Sequence, residues 1–317
     1  MMNNLEIEHV LKRLALSEHE IDFETPVQRN DDIELYLHYY GFQMNNIAFH
    51  FGKLTFHNTR ISVYMFKPKV SKGTIFLLHG YLSHVGHLKY MINFLTETGY
   101  TVISYDLQGH GLSEGKTASI YHFSSYVKTM EQLIDDLKQR FPQPFHVIGH
   151  STGAAIVMDY LLSCKKPHDH DKFVLVAPLI RSKHWHVSKY GYYLVRLFPF
   201  ISEVRRFLRE NSSNEKYLTF TSEDPLQTDA IPIEWIGAVI DWNKQIERYP
   251  VNQKSNVLVI QGNQDTTVDW KHNISIIQKK FIHVRTALID DGRHELFNEA
   301  QPIRGITFSK LKEFLDL

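Results

Sequence analysis

Ser151 sits in the pentapeptide Gly149-His150-Ser151-Thr152-Gly153, the pattern G-x-S-x-G. An apolar run ending in Val147 and Ile148 precedes it, and Ala154-Ala155-Ile156-Val157-Met158 continues it with helical texture. Strand, sharp turn and helix together are the setting in which such a serine becomes an exposed nucleophile. Glycine at both ends spares the strained serine turn a clash with the adjoining strand and helix. The helix also aims its first N–H groups at the serine, which favours negative charge developing there. A serine hydroxyl is a weak nucleophile at neutral pH and needs a base. His294 is the candidate, in the loop Gly292-Arg293-His294-Glu295 that follows an apolar run. An acid must then fix the tautomer of the imidazole and stabilise its charged form. Asp265, which closes Gly262-Asn263-Gln264-Asp265, fits that role; Asp269 is the runner-up, and Asp290 and Asp291 lie too near His294 in sequence. Attack creates an oxyanion that needs two fixed donors. The N–H of Thr152 is one, and the N–H of Tyr81, just after the apolar run Thr74–Leu78, is the other. His79 and His150 flank these donors and read as structural.

These groups need a scaffold that brings distant loops to one place. Continuous apolar runs at Thr74–Leu78 and 173–177 read as buried strands of a sheet, and Thr101–Tyr105, 256–261 and Val284–Ile289 read as further strands. Helical patterns at 89–98, 124–140, Trp270–Lys280 and 303–317 alternate with them, and Gly99 reads as a helix C-cap. Repeating strand and helix implies an α/β fold, a mostly parallel central sheet flanked by helices. In such a sheet the working residues gather at the carboxyl ends of strands. Residues 47–51, 55–57 and 60–66 read as further strands, with a turn at Asn58-Thr59. Residues 5–16 form an amphipathic helix, whereas 31–40 is ambiguous between helix and strand. The alternation breaks from 178 to 250, a block rich in Trp, Tyr, Phe and basic residues (Arg205, Arg206 and Arg209 among them), with a helix over 233–247. Three units follow: an N-terminal helical extension (1–45), a core (46–177 and 251–317) and an inserted helical cap (178–250). Most of the cap's aromatic residues are expected to pack it onto the core; the remainder suit transient contact with a membrane surface.

Composition narrows the function. The chain has 317 residues, 43% hydrophobic and 22% charged, with 35 basic against 35 acidic side chains. That balance lacks the basic excess of a nucleic-acid binder. Gln108–Gly115 is rich in glycine, but no Lys-Ser/Thr follows, so it is not a phosphate cradle. The single cysteine, Cys164, excludes an internal disulfide and reads as a packed small residue. The polar turn 165–171 contains histidines and aspartates but reads as solvent-facing rather than metal-binding. With no signal-peptide pattern and no spanning apolar run, the expectation is a cytoplasmic protein, at most peripheral to a membrane.

The motifs together resemble the monoglyceride lipase and lysophospholipase branch of the α/β-hydrolases, grouped with serine aminopeptidase-like proteins. The resemblance is carried by His79-Gly80 with His84, by Asp106-Leu107-Gln108-Gly109-His110-Gly111-Leu112-Ser113-Glu114-Gly115, and by the serine pentapeptide. Glu223-Asp224-Pro225-Leu226, Gly262-Asn263-Gln264-Asp265 with Val268, and Gly292-Arg293-His294-Glu295 complete it. The order Ser, Asp, His along the chain is the order these hydrolases use. One departure is Thr152, where many relatives carry methionine; the first 45 residues have no counterpart. The resemblance implies the α/β-hydrolase fold and hydrolysis of a carboxylic ester with a medium or long acyl chain, without cofactor or metal. A serine aminopeptidase, using a cap carboxylate (Glu203, Glu210, Glu215, Glu223 or Asp224) to hold an α-amine, is the alternative, as is a general carboxylesterase on short-chain esters. A catalytically silent binding protein is disfavoured because no triad member is missing.

Overall fold

The computed structural model describes residues 4–163, 171–198, 200–206 and 210–317. Cys164, the turn at 165–170 and Arg209, each given a role above, lie outside these residues.

The chain opens with helix α1 (Asn4–Leu16) and helix α2 (Asp31–Tyr40). The ambiguity over 31–40 resolves to helix for local reasons. The Asn30 side chain accepts the Ile33 N–H at 3.0 Å, acidic residues fill the first turn, and Gly41 ends the helix at φ +78°. Between the two helices, residues 19–27 run along strand β1 (Ile47–Phe56): the N–H groups of Ile21 and Val27 donate to Lys53 and Phe49.

Strand β1 is continuous where two short strands were expected. The reason lies at Gly52, where a Cβ would come within 2.5 Å of the Ile21 nitrogen. Gly52 does not break the strand; it lets the N-terminal segment approach its backbone. Strand β2 (Thr59–Pro68) returns antiparallel, with Phe56 opposite Thr59. The turn is therefore His57-Asn58, one residue earlier than expected, with both at positive φ (49° and 62°) as a two-residue hairpin turn requires.

The core strands follow: β3 (Thr74–Leu78), β4 (Thr101–Tyr105), β5 (Phe145–His150), β6 (Lys172–Val176), later β9 (Asn256–Gly262) and β10 (Val284–Ile289). With β1 and β2 they form one eight-stranded sheet, in the order β1-β2-β4-β3-β5-β6-β9-β10. The two β2 pairings are antiparallel and all the others parallel. Helices α3 (Lys89–Glu97), α4 (Phe123–Arg140), α5 (Thr152–Ser163), α9 (Trp270–Lys280) and α10 (Ile303–Leu315) connect or follow these strands. Two hydrophobic clusters fill the molecule, one led by α4 and α5 and the other by α1, α2 and α3. The N-terminal helices are thus built into the second cluster through Ile7, Val10, Tyr36 and Tyr40.

Strands β6 and β9 are sheet neighbours, yet the chain between them makes a long excursion. It holds α6 (Trp185–Val195), β7 (Glu203–Arg205), α7 (Glu215–Glu223), β8 (Ala230–Pro232) and α8 (Ile233–Arg248). Strands β7 and β8 pair as a small antiparallel sheet that the sequence reading lacks. The expectation that most aromatics here pack inward holds for α8 and fails for α6. Trp242 is buried on α8, whereas Trp185 is the one buried residue of α6. Tyr190, Leu197 and Phe200 are 70%, 72% and 82% exposed. Contiguous apolar exposure of this kind is unusual on a surface that faces only water.

Candidate active site

Strand β5 ends at His150 and helix α5 begins at Thr152, so Ser151 alone makes the turn, at φ +53°. A non-glycine residue there is strained and must be held. The Ser151 N–H donates to the Val176 carbonyl at 2.8 Å, which pins the turn to β6. The flanking glycines are sterically required. A Cβ on Gly149 would lie 2.5 Å from the Gly153 carbonyl carbon, and one on Gly153 would lie 2.6 Å from the His79 oxygen.

Asp265 and His294 reach this turn from the loops after β9 and β10. His294 Nε2 stands 2.9 Å from Ser151 Oγ, and His294 Nδ1 stands 2.8 Å from Asp265 Oδ2. All three side chains are buried. Asp265 Oδ1 accepts the N–H groups of Thr267 and Val268 at 2.7 and 3.1 Å, and Gln261 donates to Oδ2 at 3.0 Å. An ionised carboxylate only accepts, so His294 carries its proton on Nδ1 and offers Nε2 to the serine hydroxyl. Burial disfavours charge on Asp265, but His294, Gln261 and the Thr267 N–H outweigh it and hold the carboxyl below its ordinary range. Burial likewise disfavours imidazolium at His294, and the adjoining carboxylates Asp265 and Glu295 reverse this, raising its pKa above 6.5. Asp269 is elsewhere, accepting the His272 N–H at the start of α9, and Asp290 takes a hydrogen bond from Asn263.

The two flanking histidines hold backbone. The Leu107 N–H donates to His79 Nε2 at 2.9 Å, so the ring proton is on Nδ1, which meets the Gly80 carbonyl at 2.7 Å. In a trans peptide the C=O and N–H point opposite ways, so fixing the Gly80 carbonyl also fixes the Tyr81 N–H. His150 Nε2 donates to the His294 carbonyl at 3.0 Å, and burial keeps His150 neutral by lowering its pKa. Among the described residues, no acceptor meets the N–H of Tyr81 or of Thr152. The arrangement can deprotonate a hydroxyl, add it to a carbonyl and return the proton to a leaving group.

A family profile described as Serine aminopeptidase, S33, matches residues 69–301. The chain belongs to this family. Membership makes this S33 chain a hydrolase, and its sheet and flanking helices are those of the α/β-hydrolases. It is 22% identical to a monoglyceride lipase homolog from Monkeypox virus, over 77% of this chain and 89% of that one. It is 24% identical to the phospholipase YtpA of Bacillus subtilis, over 76% and 94%. A soluble variant of Saccharomyces cerevisiae monoglyceride lipase, solved with a substrate analogue, superposes with a TM-score of 0.71 at 18% identity, covering 83% and 94% of the two chains.

Around the triad, two buried carboxylates take structural parts that the sequence reading did not give them. Asp106 is buried at the end of β4. It accepts the N–H groups of Val85 and Leu112, both at 2.8 Å, and the Tyr64 hydroxyl at 2.6 Å. It thereby ties the Gln108–Gly115 loop to the 3-10 turn Val85–Leu88, just beyond Tyr81. Asp224, after α7, is a second buried hub. His84 and His87 both approach its Oδ2, at 3.0 and 2.8 Å, while the Tyr40 hydroxyl donates to Oδ1 at 3.1 Å. One carboxylate thus joins α2, the 3-10 turn and the β6–β9 excursion. Burial disfavours its charge, but the two imidazoles overcome that and hold its pKa far below the carboxylate range.

Ligand-type atoms of His84, His87 and Asp224 lie within 4.8 Å of one another, as do those of His150, His294 and Glu295. The Gly86 N–H donates to His84 Nδ1 at 3.2 Å, so the ring proton occupies Nε2 and faces Asp224. In the second set, His294 Nε2 is committed to Ser151 and His150 Nε2 to a carbonyl.

Proposed function

We propose that the chain is a serine hydrolase of acyl-lipid carboxylic esters, of lysophospholipase or monoacylglycerol lipase type, working through an acyl-enzyme on Ser151. The observation that carries this reading is the row from Ser151 Oγ through His294 to Asp265, at 2.9 and 2.8 Å. His294 takes the Ser151 proton as Oγ attacks the ester carbonyl. The oxyanion is received by the N–H groups of Tyr81 and Thr152. His294 then protonates the leaving alcohol, and water, activated by the same imidazole, releases the acid. This sequence needs no cofactor and no metal. The names of the relatives from Monkeypox virus and Saccharomyces cerevisiae support an acyl-lipid substrate.

We read residues 178–250 as a cap over this site, and 1–45 as an extension that braces it through Tyr40 and Asp224. No helix among the described residues is long and apolar enough to cross a membrane. The exposed apolar side chains of α6 suit a cytoplasmic enzyme that meets its substrate at a lipid surface.

The peptidase alternative needs a free cap carboxylate facing the site. Glu203, Glu210, Glu215 and Glu223 are exposed, and Asp224 is saturated by Tyr40, His84 and His87. That distribution favours the ester.

Incubation with a fluorophosphonate probe should modify Ser151 alone, as read by peptide mass spectrometry, and long-chain p-nitrophenyl esters should be cleaved. A folded protein that resists the probe and spares these esters would overturn the proposal. The pH dependence follows from His294, which acts as a base only when neutral. Its raised pKa places the acidic limb of kcat/KM above pH 6.5, with activity falling as pH drops through it. Asp265→Asn removes the charge that raises it, so the limb should move to lower pH in whatever residual activity remains.

A further inference from the structure

Helix α5 opens on Thr152, the residue after the serine. Thr152 is fully buried, and among the described residues its Oγ1 meets no hydrogen-bond partner. Other helical threonines settle the same need within their own helix. Thr96, Thr129, Thr221 and Thr307 each donate to the carbonyl four residues back, at 2.9, 3.2, 3.0 and 3.0 Å. Thr152 has no helical carbonyl behind it. Four residues back lies Ile148, inside strand β5, which pairs with β3 and β6. A buried hydroxyl without a partner is costly, and native interiors leave few of them.

The hydroxyl opens toward the serine turn. In a helix each Cα–Cβ bond tilts toward the N-terminus, here toward Ser151. In the staggered rotamers open to a helical threonine, Oγ1 stands gauche to its own amide nitrogen. The N–H and O–H of Thr152 therefore sit side by side, and that N–H also lacks an acceptor among the described residues. The backbone around them is tightly drawn in. A Cβ on Gly80 would stand 3.1 Å from Ser151 Cβ, so the loop that carries the Tyr81 N–H rests directly on the serine. A Cβ on Gly153 would stand 2.7 Å from the Leu78 carbonyl oxygen, so the first turn of α5 is pressed against the end of β3. Among the described residues, several buried polar side-chain atoms lack a partner, and Thr152 Oγ1 alone belongs to a chain neighbour of Ser151.

We propose that the Thr152 hydroxyl is a third donor to the oxyanion, beside the N–H groups of Tyr81 and of Thr152 itself. This rests on the serine-hydrolase reading above and adds a catalytic group to it. No proton changes hands at this oxygen. The hydroxyl donates a hydrogen bond as the ester carbonyl oxygen gains charge, and keeps its proton throughout. Its hydrogen is free to rotate, so it turns to meet the charge as it builds. Donation to an ionised acceptor is stronger than to a neutral one, so the contact tightens in the transition state and acts on kcat. Acyl transfer to Ser151 and hydrolysis of the acyl-enzyme both pass through an oxyanion in the same place, so both steps gain.

The test compares the full chain with Thr152→Val, Thr152→Ala and Thr152→Ser on a long-chain p-nitrophenyl ester, with fluorophosphonate labelling and thermal melting of each. None of these substitutions removes the backbone donor. Thr152→Val keeps the shape without the hydroxyl and should lower kcat by about 100-fold, the lower end for loss of one oxyanion donor, with KM little changed. Thr152→Ala should lose as much, and Thr152→Ser, which restores the oxygen, should recover most of it. A long-chain alkyl trifluoromethyl ketone forms a charged hemiketal on the serine; its affinity should fall in Thr152→Val by the same factor as kcat/KM. Because the hydroxyl has no partner within the described fold, Thr152→Val should melt no lower than the unaltered chain. An unchanged kcat in Thr152→Val, a loss carried by KM alone, or a clear fall in its melting temperature overturns the inference. A chain that labels at Ser151 while Thr152→Val keeps its rate rejects this inference alone. A chain that neither labels nor cleaves any ester rejects the serine-hydrolase reading itself.

Discussion

Replacing Ser151 with alanine is expected to lower kcat on acyl esters by roughly 10⁴- to 10⁶-fold, and to abolish fluorophosphonate labelling. The loss should be confined to chemistry, because the serine side chain contributes only its hydrogen bond to His294, while the turn is held by the Ser151 N–H to Val176. Circular dichroism and thermal melting should therefore match the unaltered chain. Asp265→Asn should cost a comparable ~10⁴-fold by favouring the wrong imidazole tautomer. Asparagine is the right replacement there, because Asp265 also accepts the N–H groups of Thr267 and Val268, and alanine would release that loop. Ester turnover under excess substrate reads both effects; a Ser151→Ala protein that kept a tenth of the rate would remove serine from the mechanism.

The second large effect is on stability. Asp224→Ala should destabilise the fold by about 3–5 kcal/mol, the range for removing one partner of a buried charged network. Tyr40, His84, His87 and the Leu226 N–H all lose their acceptor at once. Because the Asp224 pKa lies below its ordinary 3.8, its contribution is fully present above that pH and fades as the pH falls toward the depressed value. The gap between the two proteins in urea titrations should thus be widest near neutrality and close in strong acid. A gap that does not change with pH would show that the carboxylate is not charged in the native state.

Legibility in the sequence tracked how local each signal was. The serine turn was readable because strand, glycines and helix are consecutive residues with one steric solution. Asp265 and His294 were readable because each closes an apolar run, and the parallel sheet carries such ends to one edge. Asp224 was not, since it meets His84 and His87 across 140 and 137 residues, and nothing local marks a carboxylate as a hub. Aromatic density between 184 and 201 suggested burial, yet α6 turns most of those side chains outward. Composition alone does not separate a packed helix face from one presented to solvent. Strand β1 read as two pieces, 47–51 and 55–57, because the purpose of Gly52, close approach by Ile21, lies in a segment about thirty residues earlier.

That approach has a consequence for solubility. The pairing of residues 19–27 with β1 covers what would otherwise be an open rim of the sheet, where unpaired amides invite a second molecule to add its own strand. The rim at β10 differs, with the charged Arg285 exposed along it. Trimming the chain back to residue 30 would strip the first guard while leaving Phe49 and Phe51 without their cover, so the shortened protein should self-associate even with its catalytic groups intact.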